Sequence, residues 1–155
     1  MADILQARVD EMESRHKKGH EKYEYLRKEF LPRGTANQCT ASIYEIPPQK
    51  SAYPYHYHTQ NEEVFYIIRG SGILRTPDGE RRVSAGELLY FPANKMGAHK
   101  LTNNSSDETL VYLDFDTCNA IDVAFYPDSG KIGIWGKDIN KLYKSDENVD
   151  YYDGE

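Results

Sequence analysis

The chain has 155 residues and a formal net charge of −6, with an isoelectric point near 5.4. It is long enough for one domain with a hydrophobic core and too short for two domains of ordinary size. The acidic balance argues against a nucleic-acid partner, and no apolar run approaches the roughly 20 residues of a membrane span. The first residues contain no apolar signal core, so we expect a cytoplasmic protein.

The N-terminal region has apolar residues at helical spacing. They recur at intervals of three and four in two sets, Leu5, Val9 and Met12, then Tyr23, Leu26 and Phe30. This pattern predicts an α-helical extension over residues 1–34, weakened at Gly19 and ended by Pro32 and Gly34. The narrow apolar stripe indicates a helix that lies on the outside of a larger body or across a subunit contact.

Residues 35–136 alternate short β-type runs with turn residues, as in an all-β sandwich or barrel. The predicted strands are 39–46, 53–58, 63–69, 72–76, 80–83, 87–91, 99–102 and 109–115, followed by a strand–turn–strand unit over 123–135. We expect strand 63–69 to pair with strand 72–76. Residues 137–155 are acidic and poor in aliphatic side chains, which predicts a solvated C-terminal tail.

The run Val64–Ile68 is apolar on both faces of its predicted strand. One face would look into the core, so the other must be covered by a second sheet, the N-terminal helix or a partner subunit. We therefore expect a homodimer.

Cys39 and Cys118 lie far apart in sequence and form no CxxC unit. We predict two reduced thiols, as in a cytoplasmic protein. A disulfide would require their two strands to be neighbours.

Possible metal ligands cluster around the start of strand 63–69. His56 and His58 share one face if their segment is extended, because side chains alternate along a strand. Two imidazoles and a carboxylate from adjacent strands can form most of a metal site, and His99 supplies a third imidazole.

Glu62 and Glu63 compete for the carboxylate position. Glu63 shares its strand face with Phe65 and Ile67, whereas Glu62 would point to the opposite face. We therefore prefer Glu63.

Two motifs in the chain resemble those of the cupin superfamily. The first has the form HxH, three or four residues, Glu, six residues and Gly, and it is matched by His56, His58, Glu63 and Gly70. The second runs from Gly to Pro and on to His and Asn, and its ends are matched by Gly86, Pro92, His99 and Asn103. Asn94 stands where the family has Gly, and the loop 93–98 is two residues longer, a departure that affects the loop more than the ligand.

The resemblance covers residues 41–115 and implies an all-β fold. It predicts a single-domain cupin β-barrel of jelly-roll type, here with the N-terminal α-helical extension. It also implies a metal site made by His56, His58, Glu63 and His99. Three imidazoles and one carboxylate suit one divalent transition metal (Mn, Fe, Ni, Co or Zn), and the sequence does not choose among these.

A barrel of this size can hold one small ligand. We expect its wall to include Tyr44, Tyr53, Tyr90, Tyr112 and Met96. Lys95 and Arg69 are the only cations expected near its mouth, so a bulky polyanionic substrate is not favoured.

We predict a small-molecule metalloenzyme of dioxygenase, isomerase or lyase type, acting on a chelating oxygenated substrate. Its partner would be a small molecule, with no nucleic acid and no membrane involved. Two alternatives are a non-catalytic metal or small-ligand binding or sensor module, and a structural dimer with a vestigial site. The sequence identifies no catalytic acid or base.

Overall fold

The structure is a computed structural model that describes residues 4–33 and 38–155. The strands of the described residues are β1 (Ser14–Lys17), β2 (Tyr25–Leu31), β3 (Cys39–Ile46), β4 (Tyr57–His58), β5 (Glu63–Arg69), β6 (Ser71–Thr76), β7 (Gly79–Ser84), β8 (Leu88–Phe91), β9 (Lys100–Thr102), β10 (Leu110–Thr117), β11 (Ile121–Tyr126), β12 (Lys131–Gly136) and β13 (Asn140–Lys144). A single turn of 3-10 helix, η1 (Lys95–Gly97), lies between β8 and β9.

The strands form three antiparallel sheets. A six-stranded sheet has the order β1-β2-β3-β10-β5-β8, a four-stranded sheet the order β13-β12-β11-β4, and a three-stranded sheet the order β7-β6-β9. The all-β prediction is therefore confirmed.

The sheets do not close into a barrel, so this part of the prediction is wrong. In the described chain the three sheets are joined at isolated bridges, such as those of Ser51 with Thr102 and of His56 with His99. The segment predicted as strand 53–58 is a strand only at Tyr57–His58. Pro54 has no backbone N–H to give to a ladder, which accounts for part of this shortening.

The N-terminal α-helical extension is also wrong. The described residues of this region form β1 and β2 instead, and β2 pairs with β3. Non-local hydrogen bonding to β3 thus overrides the local helical spacing of the apolar residues. Gly19 lies between the two strands with a φ of +101°, a conformation that ends a right-handed helix and that glycine adopts without strain. The described residues contain no helix with the length and hydrophobicity that a membrane span requires.

Strand β5 does not pair with β6 as predicted. It pairs with β10 and β8, whereas β6 pairs with β7 and β9 in a different sheet. Gly70, between the two strands, has a φ of +80°, and a Cβ there would lie 2.9 Å from the carbonyl oxygen of Thr109. Glycine therefore permits a sharp change of direction against the backbone of the neighbouring chain segment.

Strands β3 and β10 are neighbours, with Cys39 opposite Thr117. Cys118 follows directly and donates its backbone N–H to Gln38. Both cysteines are nevertheless free. Within the predicted tail, 137–155, strand β13 pairs with β12, and its residues are exposed.

The hydrophobic core lies between the sheets. Its fully buried members include Ile46, Ile67, Leu74, Leu110 and Tyr112. The candidate site adjoins this core, where strands β4 and β5 begin.

Candidate metal centre

Three histidines are oriented by hydrogen bonds from one ring nitrogen. His56 Nδ1 lies 2.9 Å from the carbonyl oxygen of Pro54, and His99 Nδ1 lies 2.9 Å from that of Gly97. His58 Nδ1 bonds to the carboxylate of Asp122. Each partner can only accept, so each Nδ1 carries the proton and each Nε2 keeps a lone pair when the ring is neutral.

Backbone pairing places two of these rings side by side. His56 and His99 exchange N–H to carbonyl hydrogen bonds of 3.1 and 2.9 Å. Their ring centroids lie 4.9 Å apart, and those of His56 and His58 lie 5.1 Å apart. The three imidazoles therefore form one cluster built from segments that are distant in sequence.

The longer loop before His99 has a defined structure. Asn94 caps the turn η1 by accepting a 2.7 Å hydrogen bond from the backbone N–H of Met96. A Cβ at Gly97 would lie 2.0 Å from the carbonyl oxygen of Pro92, so only glycine fits there. The ring of Phe91 stacks on His99 with centroids 3.7 Å apart. Although this loop departs from the family motif, it therefore holds the imidazole of His99 in a fixed position.

Asp122 anchors the third imidazole from strand β11, which lies beside β4 in the same four-stranded sheet. Its Oδ1 accepts backbone N–H bonds from Gln60 at 2.9 Å and Asn61 at 3.3 Å, while Oδ2 bonds to His58. The side chain is fully buried. It therefore fixes both the start of the turn and the tautomer of His58, as carboxylates do behind metal-ligating histidines.

The four predicted ligands are not equally close together. Ligand atoms of His56, His58 and Glu63 all lie within 4.8 Å of one another. His99 is not a member of that group, although its Nε2 lies 3.4 Å from Glu63 Oε2. His58 Nε2 lies 3.7 Å from Glu63 Oε1. Metal binding by all four residues stays a prediction.

Glu63 and Glu62 point to opposite faces of the sheet. Glu63 is buried beside the histidines, whereas Glu62 is exposed and accepts a 2.6 Å hydrogen bond from the hydroxyl of Tyr90. This orientation follows from the two-residue period of strand β5.

Burial shifts the pKa values of the cluster in different directions. It lowers the pKa of His99 to about 4 and holds the pKa of His56 well below its ordinary value. Burial also acts to lower the pKa of His58, but the hydrogen bond to Asp122 and the charge of Glu63 raise it overall. For Glu63, burial outweighs the nearby His58 and raises the pKa to about 8.

A cavity of about 340 Å³ opens beside the cluster. His56, His58 and Glu63 form part of its wall, and Asp114 and Asp116 of strand β10 form another part. Burial, and then the charge of Asp116, raises the pKa of Asp114 well above its ordinary value. One carboxylate oxygen of each aspartate is buried without a hydrogen-bond partner. Both side chains line the cavity, although these two oxygens themselves have almost no solvent-accessible surface.

The residues present fit a divalent cation. Nε2 of His99 is fully buried and has no hydrogen-bond partner, which is costly unless a ligand or an ion satisfies it. The residues that line the cavity carry four carboxyl groups but only two guanidinium groups. When all of these are ionised, one divalent ion balances the charge. Imidazole and carboxylate donors suit a transition metal.

Sequence reasoning missed several polar residues around the site, among them Asp122, Asp114, Asp116, Arg27 and Arg33. Aspartate is uncommon inside a strand, so Asp114 and Asp116 at alternating positions of β10, and Asp122 in β11, were the available signal. The two arginines lay in the region predicted as a helix and instead line the cavity, where Lys95 and Arg69 were expected.

The predicted wall is correct for two of its five residues. Tyr44 and Tyr53 line the cavity and share a 2.8 Å hydrogen bond. Tyr90 and Met96 are exposed on the outside, and Tyr112 lies buried in the core. Alternation along a strand does not reveal which buried face meets the cavity.

Residues 42–116 match the family model described as a cupin domain. No curated protein matches the sequence at a significant level.

Solved structures resemble the fold over nearly its whole length. A proposed sugar phosphate isomerase from Acidithiobacillus ferrooxidans is 24% identical with a TM-score of 0.79, covering 94% of this chain and 95% of its own. A sugar phosphate isomerase of the cupin superfamily from Silicibacter pomeroyi is 17% identical with a TM-score of 0.80, covering 96% and 98%. A predicted oxalate decarboxylase from Thermotoga maritima is 18% identical with a TM-score of 0.65, covering 74% and 100%. At these identities the likeness shows the fold.

Proposed function

We propose that this chain, which belongs to the cupin superfamily, holds one divalent transition metal and is an enzyme for a small oxygen-rich substrate. The proposed ligands are His56, His58, Glu63 and His99. The observation that carries the proposal is the common orientation of three imidazoles, each held through Nδ1 by a protein acceptor with Nε2 left for an ion.

The cavity favours a substrate with several hydroxyl groups. The carboxyl groups of Asp114 and Asp116 line the cavity and can accept hydrogen bonds, and the hydroxyls of Tyr44 and Tyr53 can donate or accept them. An apolar substrate would leave the carboxyl groups unsatisfied, at a cost of about 1–3 kcal/mol for each. A volume of about 340 Å³ limits the ligand to a small molecule.

Among dioxygenase, lyase and isomerase chemistry, we favour isomerisation of a hydroxy-carbonyl compound. This reaction moves a proton from the hydroxyl-bearing carbon to the carbonyl carbon and a second proton from the hydroxyl oxygen to the carbonyl oxygen, so atoms and electrons balance without a second reactant. Two structures that cover 94% and 96% of the chain carry the name sugar phosphate isomerase, one of them as a proposal. A bound divalent metal would act as a Lewis acid on the substrate's oxygen atoms.

The protein's own residues then have separate tasks. Asp114 is our candidate for holding the transferred proton, because it lines the cavity and burial raises its pKa well above the ordinary value. Asp122 keeps His58 in one tautomer. Tyr44 and Tyr53 orient substrate hydroxyls.

The test is solvent exchange during turnover. Metal-loaded protein would be incubated in D₂O with a panel of aldoses, ketoses and their phosphates, and proton NMR would follow deuterium entering carbon 1 or 2. We expect deuterium exchange and isomer formation with one class of these sugars. The Asp114→Asn variant should still bind the metal. Its isomerisation rate should fall about 10²–10⁴-fold, which is the contribution typical of a general acid–base group. Asp128→Asn, an exposed surface aspartate, is the matched control.

A non-catalytic binding or sensor module is the alternative. In that case a panel member would raise the melting temperature of the metal-loaded protein, yet neither product nor deuterium exchange would appear. A cytoplasmic location also stays a proposal, supported by the two free cysteines.

A further inference from the structure

The cavity beside the metal centre has walls of different chemistry. Asp114 and Asp116, on strand β10, come from the six-stranded sheet, whereas Tyr126 and Trp135, on strands β11 and β12, come from the four-stranded sheet. We refer to Tyr126 and Trp135 as the aromatic wall. A ligand in this cavity therefore meets carboxyl groups on one sheet and aromatic side chains on the other.

Trp135 is held in a fixed position close to the metal centre. It lies directly opposite Asp122 in the ladder of β11 and β12, so both side chains share a face of the sheet, and Asp122 bonds to His58. A Cβ at Gly133 would lie 2.7 to 2.8 Å from three atoms of the indole ring. These nearly equal distances show that the ring lies flat over the Gly133 backbone. Trp135 lines the cavity and is only half-buried, which leaves indole surface for a ligand.

The ring of Tyr126, in contrast, already has partners. It stacks on His56 with centroids 5.7 Å apart and planes 15° from parallel. Nζ of Lys131 lies over the same ring, 5.2 Å from its centroid. Within the aromatic wall, Trp135 is therefore the surface that a ligand can cover.

One of the two cations in the cavity is committed to other groups. The described residues that line the cavity include two arginines, Arg27 and Arg33. Nη2 of Arg27 lies 2.7 Å from Glu29 Oε1, and its Nε donates a 3.1 Å hydrogen bond to the hydroxyl of Ser42. Arg27 is thus positioned by the protein's own polar groups.

The charges that remain do not favour an anionic substrate. Glu29 is paired with Arg27. The carboxylates of Glu63 and Asp116 together balance one divalent ion. Arg33 is then the one cation left among the described residues of the wall. A phosphate group carries a charge of about −2 at neutral pH, so it would add negative charge without compensation.

We propose that the substrate of this site is a neutral sugar rather than a sugar phosphate, with the apolar C–H face of the sugar on Trp135 and its hydroxyl groups toward the carboxyl groups of β10. This inference rests on the proposed function and names its substrate class. A sugar ring presents C–H groups on its faces and hydroxyl groups at its edge. It therefore matches a cavity that combines an aromatic surface with carboxyl groups.

The test uses Trp135 as its probe, because it is the only tryptophan of the chain. Xylose, glucose, mannose and fructose, each beside its phosphate ester, would be titrated into the full chain with and without Zn²⁺ while tryptophan fluorescence is recorded. We expect a neutral sugar to change the emission and to bind at least about tenfold more tightly than its ester. Calorimetry gives the same affinities for variants that lack the tryptophan.

Two substitutions test the two parts of the proposal. Trp135→Leu should weaken binding of the neutral sugar about tenfold, as expected when roughly 50 Å² of apolar contact is lost, and Trp135→Phe should restore most of it. Tyr143→Leu is the matched control, because Tyr143 lies opposite Ile132 and hence on the other face of the same sheet. Glu29→Gln releases Arg27 and should reduce the preference for the neutral sugar at least about threefold.

Circular dichroism establishes that each variant is folded. Tighter binding of an ester, no binding of any neutral sugar, unchanged emission on binding, or an equal loss in Tyr143→Leu would overturn the inference. Its failure is distinct from failure of the proposed function. A neutral sugar that binds without deuterium exchange would remove the isomerase function and leave this inference standing, whereas exchange with phosphate esters alone would do the reverse.

Discussion

Replacing Asp122 with asparagine tests how the protein prepares the metal centre. The substitution keeps the shape of the side chain and keeps the Oδ1 acceptor for the backbone N–H groups of Gln60 and Asn61. What changes is the contact with His58. An amide nitrogen in place of Oδ2 would donate to Nδ1, and the ring proton would move to Nε2, the atom proposed to bind the ion.

The loss in metal affinity expected for Asp122→Asn follows from the role of Asp122 as the hydrogen-bond partner of His58. Removing an outer partner of a metal-ligating histidine costs about 10- to 100-fold in affinity, or about 1.4–2.7 kcal/mol. Asp122 is fully buried, so water does not replace the lost acceptor. We therefore expect a value near 100-fold for Asp122→Asn.

The assay is competition with a chelator of known affinity, using Zn²⁺ and Mn²⁺ with the metal-free protein. Asp128→Asn serves as the control, because Asp128 forms an exposed ion pair with Arg75. An affinity for Asp122→Asn within twofold of the wild type would refute the reasoning. An equal loss in Asp128→Asn would show that the effect is not specific to His58.

Three further predictions concern the carboxylate, pH and the core. Glu63→Gln should lower metal affinity at least about tenfold, while Glu62→Gln should leave it unchanged in the same titration, because Glu62 is exposed. With a pKa of about 8, against 4.5 when unburied, Glu63 keeps its proton in the folded metal-free protein at neutral pH. The stability that Glu63 contributes to that form, measured by urea unfolding as the difference between wild type and Glu63→Gln, should fall as pH rises from about 5 to 8; His56 and His99, whose pKa values are lowered, are common to both proteins. Metal affinity should rise over the same interval, with proton release detected by calorimetry in buffers of different ionisation enthalpy; equal heats in all buffers would contradict this. Leu74→Ala should cost about 2–5 kcal/mol of unfolding free energy because Leu74 is fully buried, and Leu142→Ala should cost less than about 1 kcal/mol.

Strands with strong local signals were predictable from the sequence. The bounds of β3 and β5 agree with the predictions, because each run is rich in β-branched and aromatic residues and stops at Pro47 or Gly70. The inward orientation of Glu63 follows from the same alternation.

Features that depend on distant pairing were not predictable. Strand β2 has helical spacing within itself, and only its ladder with β3 makes it a strand. Asp122 lies 64 residues from His58, and no local pattern joins them. Strands β5 and β6 lie in different sheets because each pairs with strands that are distant in sequence, β5 with β10 and β6 with β9. Local periodicity specifies which face a side chain takes, but not which strand lies beside it.

The most direct test of the central claim is X-ray absorption spectroscopy of the protein reconstituted with one transition metal, combined with metal analysis. We predict one metal ion per chain, with multiple-scattering features of imidazole ligands that weaken in His56→Ala and in His99→Ala. A chain that retains almost no transition metal after reconstitution, or a bound ion surrounded only by oxygen ligands, would contradict it.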